Sequence, residues 1–141
     1  MITATSGILR DRRIFIFEDD VTNRSVMQLL LEQQGATVTF ERCGIDIENR
    51  LQKFAPIDII LMDLMFPNNI SGYDIAEQIR NNNDFAHIPI VAVSASEADK
   101  EIPNAHQRGF AGFIAKPINM VLFAKQIALV LAGQSVWYTG K

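Results

Sequence analysis

The sequence predicts an α/β fold, with five strands and five helices alternating as (βα)5 in one doubly wound parallel sheet covered on both faces. Two observations carry this. Short apolar runs rich in β-branched and aromatic residues alternate with stretches whose apolar residues recur at helical spacing. Two of the runs, residues 57–62 (IDIILM) and 88–93 (IPIVAV), are almost continuously apolar. Strands take that character when a parallel sheet is buried on both sides.

The elements follow in order. Residues 13–17 (RIFIF) form the first strand. Residues 21–34 form a helix with Val26, Leu29 and Leu30 at helical spacing, and Gly35 is its stop signal. Residues 37–40 are the second strand, and residues 45–54 the second helix, ended by Pro56. After the third strand at 57–62 come a helix at 72–81 and the fourth strand at 88–93. The polar stretch 96–108 holds the fourth helix, 110–115 is the fifth strand, and 118–132 is a long last helix. Residues 1–11 are read as an N-terminal leader, 12–132 as the domain and 133–141 as a C-terminal tail.

With 141 residues, 48% of them hydrophobic and 21% charged, the chain fits one globular domain with a core of its own. A net charge of -3 without a basic run argues against direct nucleic-acid binding. No apolar run reaches the length of a membrane span, and residues 1–10 lack the order of a signal peptide. The one cysteine, Cys43, has no internal partner for a disulfide, which suits a reducing cytoplasm.

Ligand sites of such sheets lie outside the carboxyl ends of the strands. The first strand is followed by Glu18, Asp19 and Asp20, the third by Asp63, the fourth by Ser94 and Ala95, and the fifth by Lys116 and Pro117. Carboxylates gathered at one edge repel one another and call for a cation. All-oxygen donors with no Cys or His favour a hard ion, Mg²⁺ first. A carboxylate with a metal, a lysine and a hydroxyl suits phosphoryl transfer, the carboxylate attacking and the others neutralising the phosphoryl oxygens. Each residue also has a plainer role: Asp20 or Thr22 as a helix cap, Ser94 as the cap of the next helix, Lys116 as a solvated turn residue. The joint pattern is more specific than any member of it.

Over residues 12–132 the chain resembles the receiver domains of bacterial two-component response regulators. Glu18-Asp19-Asp20, Asp63 with Pro67 and Gly72, Ser94-Ala95 and Lys116-Pro117 carry the resemblance. It implies a flavodoxin-like fold with strand order 2-1-3-4-5. It implies Asp63 as phosphoacceptor, with Asp19, Asp63 and the Met65 carbonyl as direct Mg²⁺ ligands and Glu18 acting through metal-bound water. Ser94 would contact the phosphoryl group, Lys116 would pair first with the acidic cluster and then with the phosphoryl oxygens, and Phe113 would be a switch aromatic that turns inward as Ser94 moves. A cis bond before Pro117 would aim Lys116 at the site. The donor would be a histidine kinase or histidine phosphotransfer protein, the output a downstream protein target, and the chain no enzyme beyond its own phosphorylation and dephosphorylation. His87 and His106 read as surface residues.

Three features depart from the family pattern. Ser71-Gly72 arrive one position late after Asp63, so the loop is one residue longer. Pro103 falls in the fourth helix, where a central proline costs about 3 kcal/mol, so a place in the first turn of a shortened helix is expected. Ser94 stands where Thr is commoner. Among rivals, a haloacid-dehalogenase-like phosphatase would need an acid two residues after Asp63, where Met65 stands. A nucleotide-binding domain would need a glycine-rich turn in place of Glu18-Asp19-Asp20. A receiver-like interaction module that takes no phosphate is the remaining alternative, disfavoured by the complete set of Asp19, Asp63, Ser94 and Lys116. With no output domain in view, the chain resembles stand-alone receivers. Its last helix carries two apolar stripes, Val121/Ala124/Ala128/Leu131 and Phe123/Ile127/Val130, and the one left over from the sheet would serve a homodimer unless Trp137 and Tyr138 of the tail cover it or it meets a heterologous partner instead.

Overall fold

A computed structural model describes residues 7–41 and 46–140. Six strands, β1 (Arg13–Phe17), β2 (Thr37–Glu41), β3 (Ile59–Met62), β4 (Ile90–Ser94), β5 (Gly112–Ala115) and β6 (Val136–Tyr138), form one sheet. Its order is β2-β1-β3-β4-β5-β6, and every pairing is parallel. The helices are α1 (Val21–Glu32), α2 (Ile47–Phe54), α3 (Gly72–Arg80), α4 (Ala98–Gln107) and α5 (Phe123–Leu131). This is the flavodoxin-like arrangement, extended by one strand at the β5 edge. The expected start of the second helix at residue 45 lies outside the described residues.

Strand alternation sorts the core into two layers. Phe15, Phe17, Ile60, Met62, Ile90, Ala92 and Phe113 face α2, α3 and α4, meeting Leu51, Ile75 and Ala105. Ile14, Ile16, Ile59, Leu61, Val91, Val93 and Ile114 face α1 and α5, meeting Met27, Leu31, Phe123 and Ile127. Each fully buried side chain of this size contributes roughly 1.5–3 kcal/mol. Leu9, from the segment read as a leader, is fully buried in the second layer. Among the described residues no helix is long and apolar enough to cross a membrane.

Three expectations are corrected. The sheet has six strands, because Val136–Tyr138 of the tail pairs with β5 in register with Gly112–Ile114. Gly112 makes that possible: a Cβ there would lie 2.5 Å from the Val136 carbonyl oxygen. Next, Pro103 lies inside α4 and not in a first turn. The carbonyl that its missing N–H leaves without a helical donor belongs to exposed Asp99, where water can serve it. Finally, α5 starts at Phe123, and neither stripe is wholly left over. Phe123, Ile127 and Val130 are buried with Gln126, while Ala124, Ala128 and Leu131 pack half-buried against the same layer. Val121, before the helix, and Leu129 remain exposed. The tail divides its aromatics, Tyr138 joining this layer and Trp137 the opposite one.

Candidate functional site

The carboxyl ends of β1, β3, β4 and β5 bring Glu18, Asp19, Asp63, Ser94 and Lys116 together. Ladder bonds fix the frame: the Asp63 N–H donates to the Phe17 carbonyl at 3.1 Å, and the Lys116 N–H to the Ser94 carbonyl at 2.9 Å. Carboxylate oxygens of Glu18, Asp19 and Asp63 all lie within 4.8 Å of one another. Glu18 is 1% exposed and Asp63 8%. The Lys116 ammonium bridges them, with Nζ 2.5 Å from Glu18 Oε1 and 3.1 Å from Asp63 Oδ2. With its side chain only 11% exposed and held by two carboxylates, Lys116 is no solvated turn residue. The peptide bond between Lys116 and Pro117 is cis.

Asp20 takes the plainer role. Its side chain caps α1, accepting the Asn23 N–H at 2.9 Å. Its own N–H donates to Glu18 Oε2 at 3.2 Å and so helps to hold that carboxylate.

The electrostatics follow from burial. Desolvation pushes the Glu18 carboxyl above its ordinary range, the Asp63 charge adds to this, and Lys116 with the Asp20 N–H only partly offsets it. Burial alone would lower the Lys116 ammonium, but its hydrogen bond to Glu18 and the charges of Asp63 and Glu18 raise it above the usual lysine value. The Lys116 ammonium pairs with two of the three clustered carboxylates, and a hard cation is the natural complement of the remaining charge.

The loop beyond Asp63 is anchored by buried Leu64 and Phe66 while Met65 points outward. The Met65 N–H donates to Asp63 Oδ1 at 3.3 Å. The loop then passes through a 3-10 turn at Pro67–Asn69, where Asn68 and Asn69 both take left-handed φ, which Asn tolerates. Met65 and Ser71 then form a bridge, and Ser71 caps α3. Gly72 permits the close return of the chain, since a Cβ there would meet the Asp63 carbonyl oxygen at 1.9 Å.

Comparison with known protein families matches residues 14–128 to the response regulator receiver domain. The chain belongs to that family. The receiver is 28% identical over 116 residues to the polar-differentiation response regulator DivK of Brucella ovis, covering 82% of this chain and 93% of that protein. In fold it is similar to a putative response regulator from Chloroflexus aurantiacus (TM-score 0.78, 21% identity, 87% of this chain and 99% of that one). The chemotaxis response regulator CheY4 of Vibrio cholerae is a further neighbour (TM-score 0.76, 20% identity, 85% and 98%). Receiver domains bind Mg²⁺ at an acidic cluster, and the cluster of this receiver is Glu18, Asp19 and Asp63. They work with histidine kinases and downstream targets.

Ser94, 1% exposed and the last residue of β4, caps no helix. Its Oγ donates to Ser96 Oγ at 3.1 Å and accepts the Ser96 N–H at 3.2 Å. The Ser96 hydroxyl reaches on to Met65 Sδ at 3.3 Å. Ser96 escaped the sequence reading, although its place two residues after Ser94 fits an ST-type turn. Phe113, the expected switch aromatic, is fully buried in the first layer. His87 and His106 are exposed, His106 with its ring 4.9 Å from that of Trp137.

Proposed function

We propose that this receiver accepts a phosphoryl group on Asp63 from a histidine kinase or histidine phosphotransfer protein, with Mg²⁺, and signals through a changed partner-binding surface. The observation that carries the reading is the position of Asp63: nearly buried, beside the carboxylates of Glu18 and Asp19, with the Lys116 ammonium on one of its oxygens.

Asp63, Asp19 and the Met65 carbonyl would hold the ion directly, with Glu18 acting through its water. When bound, Mg²⁺ supplies charge neutralisation at the phosphoryl oxygens. An oxygen of the Asp63 carboxylate attacks the phosphorus of a donor phosphohistidine. The O–P bond forms as the N–P bond breaks, and the imidazole nitrogen leaves with the bonding electron pair. Lys116 follows the charge from the carboxylate to the phosphoryl oxygens, a short move from its place at 3.1 Å. The Ser94 hydroxyl gives up Ser96 and donates to one of those oxygens, a stronger bond because its acceptor is charged. Phe113, buried at the β5 position that pairs with Ala92 of β4, senses the change two residues before the end of that strand.

The test is to incubate the protein with Mg²⁺ and acetyl phosphate and measure intact mass. A gain of one phosphoryl group is expected for the wild type and none for Asp63→Asn. The same gain in both proteins would remove Asp63 from the role.

A further inference from the structure

We propose that β6 is a strap that reads the state of the acidic pocket at the edge of the sheet, and that phosphorylation of Asp63 loosens it. The proposal rests on the reading of Asp63 given above.

The strap is built into the fold. Gly112, buried in β5, leaves room for the Val136 backbone, and any Cβ there would be 2.5 Å from the Val136 oxygen. Trp137 is the register partner of Phe113, so both side chains lie on the same face of the sheet. The indole also packs 4.9 Å from the His106 ring of α4. Because β6 runs parallel to β5, its far end arrives at the pocket edge. Thr139 shares a hollow with Glu97, Ala98 and Asp99 at the start of α4. A Cβ on Gly140 would sit 3.5 Å from that of Ala115, the residue before Lys116.

The strap is also weak. It has three residues, all half-buried, and among the described residues it pairs on one side only. Short edge elements of this kind open at lower free energy than the core strands beside them. A small change in its supports is enough to shift it.

The pocket controls those supports. Ser94 Oγ and the Ser96 N–H and hydroxyl now hold one another. When Ser94 turns to a phosphoryl oxygen it releases Ser96, and residues 95–97 lose their tie to β4. Those residues lead directly into the wall beside Thr139. The strap then loses the start of α4 on one side and the settled Phe113 on the other. Its release uncovers the N–H and C=O groups of the β5 edge.

Trp137 is the only tryptophan of the chain, so its fluorescence reports on β6 directly. The 141-residue chain is treated with Mg²⁺ and acetyl phosphate, and emission, acrylamide quenching and intact mass are followed in the same sample. A red shift and a loss of protection from quencher are expected in step with the mass gain. Gly112→Val should show the loosened spectrum before any donor is added, with no further shift afterwards. If that variant does not fold, Val136→Asp acts from the tail side and leaves β5 intact. A full mass gain with unchanged emission and quenching would overturn the strap and leave Asp63 as phosphoacceptor. No mass gain would remove the reading of Asp63 and the strap with it. A donor-dependent shift in Asp63→Asn would also overturn the strap, because the signal would then have another origin.

Discussion

The centre of the sheet and its β6 flank are held in different ways. β1, β3, β4 and β5 are paired on both sides, and their residues are buried throughout apart from Arg13 at the start of β1. Among the described residues β6 has one neighbour, and none of its own residues is fully buried. The acidic pocket is mounted on the first kind of strand. Groups that must hold a highly charged ligand in register gain from rigid mounts, because their geometry is set before the ligand arrives. On the reading proposed above, the flank has the opposite task and responds to that ligand by moving.

Truncation should cost most in the centre of the sheet. Ile60 of β3 is fully buried between β1 and β4. Truncation to Ala should cost about 4 kcal/mol, read from the urea midpoint. A cost near that of an edge residue would mean that the centre is not the rigid part.

Lys116→Ala tests the charge balance of the pocket, by removing the ammonium hydrogen-bonded to Glu18 and Asp63. A buried pair broken on one side costs about 3 kcal/mol at neutral pH. The sign with pH is defined. Lys116 titrates above the usual lysine value, so its contribution is fully present below that value and is lost only as pH rises through the raised one. Glu18 is raised too, so acidification protonates it early and the deficit of the variant shrinks as pH falls through the carboxylate range. Equal deficits at neutral and acid pH would contradict the ion-pair account.

Asp20→Ala sharpens the division of labour within the acidic triplet. The cap of α1 is lost, at about 1 kcal/mol. Mg²⁺ affinity by calorimetry should stay near wild type, whereas Asp19→Ala should weaken it. If Asp20→Ala weakens Mg²⁺ as much as Asp19→Ala does, Asp20 is a ligand and not simply a cap.

The smallest effect belongs to the flank. Val136→Ala trims a half-buried side chain of β6 and should cost below about 1 kcal/mol. Hydrogen exchange at residues 136–138 should quicken while β3 stays protected. Equal exchange in the two strands of the wild type would erase the contrast between them.

The pocket was legible in the sequence because its chemistry is carried by residue type. Glu18, Asp63, Ser94 and Lys116 each stand at the end of an apolar run, and a parallel sheet brings such ends to one edge. What escaped depends on absences and on three-dimensional neighbours. Val136–Tyr138 is too short for periodicity to register, and its partner site is defined by the side chain that Gly112 lacks. Pro103 suggested a shortened helix, yet an exposed helix can lose one hydrogen bond to water and continue on both sides. Apolar spacing continues through residues 118–122 and so suggests an earlier start for α5, whereas the Asn119 side chain accepts the N–H groups of Val121 and Leu122 at 2.9 and 3.0 Å and holds a turn there. Gln126, polar and yet buried, shows how far the packing of α5 departs from a simple two-sided pattern.

The chemistry of Asp63 can be fixed directly by trapping its product. An aspartyl phosphate is reduced by borohydride to homoserine, so the protein is treated with Mg²⁺ and acetyl phosphate, reduced, digested and mapped by mass. Homoserine at position 63, and at no other acidic position, is the expected result. Homoserine at position 19 or 20 instead, or a phosphoryl group carried through reduction on a serine such as Ser94, would contradict the account.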